Sequence, residues 1–67
     1  KKKVFVTAKV KAGKGVVLNV RQHPDIKSEK VGQIKDGTKI KVEKTAISGF
    51  YELEDGSGYV LSDYVAL

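Results

Sequence analysis

From Lys3 to Lys11 every second residue is apolar, and the same two-residue beat returns in the later apolar segments of the chain. Val4, Val6, Ala8 and Val10 fall on one side; Lys3, Phe5, Thr7, Lys9 and Lys11 fall on the other. That is the pattern of a strand with one buried face. Leu18 and Val20 repeat it with Asn19 and Arg21 outward, and Ile40 and Val42 alternate with Lys39, Lys41 and Glu43. No stretch holds a 3.6-residue apolar period long enough for a stable helix. Val, Ile and Thr supply 17 of the 67 residues, and β-branched side chains fit a pleated sheet better than a helix. The chain is therefore expected to be all-β.

The breaks between alternating segments carry turn chemistry. Ala12-Gly13-Lys14-Gly15 is a turn, residues 21–30 form a polar loop around the only proline, Pro24, and Lys35-Asp36-Gly37-Thr38 reverses the chain after a short strand at 31–34. Ser48-Gly49 precedes Phe50-Tyr51-Glu52-Leu53; Asp55-Gly56 is a hairpin signal; Gly58-Tyr59-Val60-Leu61 is the last clear strand before a polar turn at Ser62-Asp63 and a terminal Val65. Five to six short antiparallel strands around one small core are best accommodated as a partly open barrel, which limits exposed edges.

Length leaves room for one domain, residues 1–67. Without cysteine, no disulfide or thiolate-zinc site can staple it, so the fold rests on packing. No apolar run exceeds three residues, which excludes a signal-peptide core or a membrane-spanning helix within the sequence. The chain opens on a lysine triplet without methionine. It is read as a domain cut from a larger protein, whose targeting signal lies elsewhere.

The net charge of +5 is unevenly spread. Residues 1–17 carry six lysines and no acid, residues 18–44 seven basic groups against four acids, and residues 45–67 four acids and no Lys or Arg. Four of the five aromatics, Phe50, Tyr51, Tyr59 and Tyr64, lie in that acidic third. Binding of single-stranded nucleic acid needs rings among positive charges, because phosphates must be neutralised beside the stacked bases. Rings among carboxylates suit a neutral or cationic ligand instead, and nucleic acid is not the expected partner.

In order along the chain stand Leu18-Asn19-Val20-Arg21, a proline loop, Lys30-Val31-Gly32-Gln33-Ile34, Asp36-Gly37-Thr38 followed by Ile40 and Val42, Gly49-Phe50-Tyr51-Glu52-Leu53, and Gly58-Tyr59-Val60 closing on Ser62-Asp63-Tyr64-Val65. In these features, from about residue 4 to 65, the chain resembles the bacterial SH3-like domain (SH3b) family. The resemblance implies an SH3-like barrel, usually appended to secreted bacterial or phage cell-wall hydrolases or to surface proteins. There it binds peptidoglycan or positions a catalytic domain. Two places depart from the family pattern. The loop that commonly reads Arg-Ser-Gly-Pro is Arg21-Gln22-His23-Pro24, and two common tryptophans are replaced by Phe50 and Tyr59.

Strand parity gives each motif a physical reading. Leu18 and Val20 plug the barrel, and Asn19, on the opposite face, is expected to tie its strand to the following loop. Tyr51 and Leu53 turn inward, which sends Phe50 and Glu52 outward, and Val60 inward sends Tyr59 outward. The candidate ligand surface is thus Phe50, Tyr59 and Tyr64 with Glu52, Asp63 and Arg21 beside them and the 21–30 loop as a wall. The competing structural reading is that the rings complete a second small core. Carboxylates beside ring faces would take an amine by ion pairing and cation–π contact. The rival surface is a lysine stripe, Lys3, Lys9 and Lys11, facing a polyanion such as teichoic acid or nucleic acid; its structural alternative is an edge strand guarded by lysine.

Other chemistry finds less support. His23 has no second His or Cys to share a metal, so no metal and no cofactor is expected. Glu52 and Glu54 share a strand face as a glycosidase pair might, but a hairpin turn abuts Glu54 and a solvated pair is expected. None of the four serines stands in a nucleophile elbow. No catalytic residue is assigned. The expectation is a non-enzymatic module, monomeric as an isolated domain, in an extracellular or cell-wall setting, binding peptidoglycan stem peptide or cross-bridge. The alternatives are docking on an attached catalytic domain and polyanion binding through the lysines.

Overall fold

The structure, a computed structural model, describes residues 3–67. Seven short strands form two sheets. In chain order they are β1 (Phe5–Val10), β2 (Val17–Arg21), β3 (Lys30–Lys35), β4 (Lys39–Glu43), β5 (Phe50–Glu52), β6 (Tyr59–Leu61) and β7 (Val65–Ala66), with a 3-10 turn at Ser62–Tyr64 before β7. The three-stranded sheet has the order β4-β1-β7 and the four-stranded sheet β3-β2-β6-β5, all pairs antiparallel. A single bridge, Val42 to Leu53, stitches β4 to the end of β5, so the barrel stays open. The expected all-β, SH3-like architecture is what forms; the strand beyond five or six is the two-residue β7.

The alternation read from the sequence builds the core. Ala8, Val10, Leu18, Val20, Val42, Leu53 and Val60 form one buried cluster, with Val6, Ile34, Ile40 and Tyr51 packed against it. Each strand contributes its inward parity, so the small core draws on both sheets. Val4 does not join it: at 54% exposure it precedes the first strand and has no cover.

Turn chemistry fixes how the sheets meet. Gly37 takes φ 87, and its N–H reaches the Val10 carbonyl at 2.8 Å. Beside it Asp36 Oδ1 accepts the N–H groups of Ala12 and Gly13 at 3.0 and 3.2 Å, which clamps the β3–β4 turn to the β1–β2 loop. Between β5 and β6, Asp55 Oδ1 accepts both the backbone N–H and the hydroxyl of Ser57. Those two donors hold its carboxyl below the usual carboxylate range.

Two sequence expectations are corrected here. Strand β1 is not an edge strand, because β4 and β7 flank it on either side. Lysine protection of an edge therefore does not account for its outward lysine. Asn19 does not tie β2 to the following loop; its side-chain oxygen instead accepts a bond from Gln33 Nε2 on β3 at 3.4 Å.

Candidate functional site

The outer face of the four-stranded sheet gathers most of the residues singled out in the sequence. Register sets Glu52 opposite Tyr59 across β5 and β6, and Tyr59 opposite Arg21 across β6 and β2. One rung of that face thus runs carboxylate, phenol ring, guanidinium. Two residues along, Phe50 stands opposite Leu61. The tight turn before Phe50 makes this placement: Ser48 at φ 52 and Gly49 at φ 80 occupy its two central positions, and Ile47 and Phe50 exchange both backbone hydrogen bonds. Positive φ at both central residues is the geometry that matches the twist of a two-residue hairpin.

Phe50 is where placement and expectation part. Its parity is as read, facing away from the main cluster, yet it is only 4% exposed. The loops above the sheet cover it, so it is the floor of a second small core and not an exposed ring. Above it a groove of about 340 Å³ opens, with Leu61, Arg21, Val17, Ile26 and Tyr64 among its lining residues. Tyr64 at 44% and Ile26 at 63% exposure form its accessible rim. Arg21 and Ile26 of the 21–30 loop line one side of the groove, and hydrogen bonds within the loop hold it there. Arg21 Nη1 donates to the Ser28 carbonyl at 2.9 Å, His23 N–H to Ser28 Oγ at 2.9 Å, and Gln22 N–H to the Glu29 carbonyl at 2.9 Å. These bonds close the loop on itself and leave Ile26 at its tip, leaning over the groove.

Glu52 is already engaged. Lys3 Nζ lies 2.7 and 2.8 Å from its two carboxylate oxygens, the one ion pair among the described residues. The hydrogen bond to Glu52 raises the Lys3 pKa above its ordinary 10.5. Lys3 therefore leaves the stripe in which it was read with Lys9 and Lys11 and sits on the acidic rung of the other sheet. Asp63, exposed in the 3-10 turn, lies outside the groove lining, although its neighbour Tyr64 is part of it.

Ile26, Leu61, Val16 and Val17 line the groove without having been singled out in the sequence. Leu61 could have been found by parity, two residues after Tyr59. Ile26 carried a weaker signal as the one large apolar residue of a polar loop. Val16 and Val17 looked like the start of a core strand, and only the loop crossing above them makes them a wall.

Chemically the face offers an apolar cleft of ligand-pocket size, a guanidinium at its edge, and a carboxylate two strand positions from its floor that accepts an ammonium. Among the described residues no group of three His, Cys, Asp or Glu side chains gathers as a metal site would need. A family model described as the bacterial SH3 domain matches residues 15–66. No curated protein and no solved structure shows a significant match to the chain.

Proposed function

The chain belongs to the bacterial SH3 domain family, a family of binding modules, and on that premise we propose that it binds the peptide part of bacterial peptidoglycan and holds an attached protein at the cell wall, outside the cytoplasm. The observation that carries this reading is the groove floored by Phe50, together with the Glu52 carboxylate on the same strand face. A short peptide laid along the groove places small apolar groups over Phe50 and Leu61. A free amine of the same peptide reaches Glu52 and Tyr59, about 7 Å further along the strand. The Lys3 ammonium on Glu52 supports that chemistry, because it is an amine held at that rung. An incoming amine would displace it, exchanging one exposed ion pair for another at small net cost. On this reading the module's contribution is to hold and to orient.

Pelleting of the 67-residue chain with purified cell walls tests the reading. Retention is expected to persist after teichoic acid is stripped and at ~0.3 M salt, since apolar and short-range contacts are screened little while phosphate contacts weaken steeply. The double variant Tyr64→Ala/Ile26→Ala touches only exposed rim residues and should cut retention at least tenfold with the circular dichroism spectrum unchanged. Wild-type-like retention of that variant would discard the groove. No pelleting under any condition would remove the wall-binding reading and leave docking on an attached enzyme domain.

A further inference from the structure

The outer face of the three-stranded sheet carries a concentration of charge that the groove does not use. Register places Lys9 directly opposite Lys39, and Thr7 opposite Lys41. Lys11 follows β1 on the same parity, and all four lysines are exposed. None of them has an acidic group within ion-pair distance among the described residues, where the single pair is Lys3 with Glu52. Cross-strand neighbours stand about 5 Å apart at Cβ and diagonal ones about 7 Å. Lys39 and Lys41 are also about 7 Å apart along their strand. Three ammonium groups therefore share a patch narrower than the ~8 Å over which physiological salt screens them. Like charges directly opposed oppose sheet formation.

Edge protection does not explain the arrangement. Strand β1 is central, and the far edge of β4 is already engaged, by the Val42–Leu53 bridge and by the Glu54 N–H on the Lys41 carbonyl at 3.0 Å. One acid borders the patch: Glu54, whose N–H bonds the Lys41 carbonyl, stands opposite Lys41 across β4, which leaves Lys9 and Lys39 facing each other. Glu43 stands at the other end of β4, where its carboxylate accepts the Thr45 N–H at 3.0 Å.

We propose that this face is a second binding surface, for a phosphodiester polymer without bases, of the polyol-phosphate class. Lysine presents a compact point charge suited to phosphate oxygens, and the face holds no guanidinium for bidentate readout. It also offers no stacking platform: its aromatic residue, Phe5, is half-buried and stands opposite Glu43, away from the lysine cluster. A nucleic acid strand would gain charge contacts here and leave its bases unsupported. A lipid surface would find Thr7 and, opposite Lys9, the small Ala66 among the lysines, with no large apolar side chain to insert. A polyol-phosphate chain requires repeated charge alone, which is what Lys9, Lys39 and Lys41 supply.

The test is titration of the 67-residue chain with deacylated poly(glycerol phosphate) between 50 and 200 mM salt, alongside an oligo-dT of equal charge and vesicles containing an anionic phospholipid. Saturable binding to the polymer is expected, with log K falling against log salt at a slope of roughly −2 to −3, as about 0.7 per contact for three or four contacts predicts. The variant Lys9→Gln/Lys39→Gln/Lys41→Gln should lose at least tenfold in affinity and flatten the slope by about two. Its fold should be intact by circular dichroism. Tyr64→Ala/Ile26→Ala should bind the polymer as the wild type does, which separates this surface from the groove. Polymer affinity of the triple variant within twofold of wild type would overturn the assignment. So would tighter binding of oligo-dT or of the vesicles than of the polymer at equal charge.

Discussion

The two sheets obey the same parity rule and end with opposite outer faces. On the four-stranded sheet the outward residues Phe50 and Leu61 are buried or half-buried, because the 21–30 loop, the residues before β2 and the 3-10 turn lie across them. On the three-stranded sheet Thr7, Lys9, Lys39 and Lys41 stand exposed, with nothing folded over them. The difference lies in the cover and not in the strands. Alternation assigns a residue to a face; a loop arriving from elsewhere decides whether that face is wet. One sheet thereby gains a second small core and a groove, and the other keeps a charged plane.

The largest test of the comparison is made where β6 meets β2. Gly58 is buried at φ 151, and a Cβ there would collide with the Arg21 carbonyl oxygen and lie 2.9 Å from a Val20 methyl. A backbone oxygen cannot yield cheaply, so Gly58→Ala is expected to cost about 4 kcal/mol from overpacking plus backbone strain. Domains of this size hold roughly 3–10 kcal/mol in total. Urea titration should find the variant largely unfolded or near its midpoint in water. A wild-type midpoint would show that the two strands are not held so closely.

Next in size is the contrast between floor and rim. Phe50→Ala should destabilise by about 3 kcal/mol, in the range of buried aromatic truncations, and Tyr64→Ala by less than about 1 kcal/mol. Equal losses for the two would mean that the groove has no floor distinct from its rim.

On the other sheet the sign reverses. Lys9→Glu exchanges a repulsion with Lys39 for an attraction and should stabilise by about 0.5 kcal/mol, seen as a rise of about 2–4 °C in Tm. The same change should weaken polyol-phosphate binding severalfold, short of the loss in the triple variant. A fall in Tm would show that the opposed lysines do not repel.

The smallest effect concerns the ion pair that reaches the four-stranded sheet. The folded-state pKa of Lys3 is raised above 10.5, so its contribution is fully present below the unfolded value and is lost as pH rises through the folded one. Glu52→Gln should therefore be slightly less stable than wild type at pH 7, and the gap should close at pH above that raised value. A gap that persists there would mean that Glu52 acts through something other than Lys3.

Much of this molecule was legible beforehand. Val10, Val20, Val42 and Val60 could be placed in the core from alternation alone, and Asp36-Gly37 marked its turn because the position needs positive φ. The order of short motifs led to the same family that the comparison identified. Illegible were contacts between distant segments. Lys3 meets Glu52 across 49 residues, and no periodicity links two side chains at that separation. Parity turns Phe50 away from the main core, but its burial depends on Ile26 and Tyr64 arriving from two other segments.

By itself, then, the sequence determined which side of each strand is apolar, where the chain must turn, and that packing alone sustains an all-β fold. These are local properties, set by side-chain period and backbone sterics. Only the tertiary structure decided that β1 is central, that Lys9 opposes Lys39, and that one outer face is roofed while the other is bare. Those outcomes follow from strand order and loop path, which arise when segments far apart in the chain compete to cover the same apolar surface. That competition has no signature within any single stretch of residues.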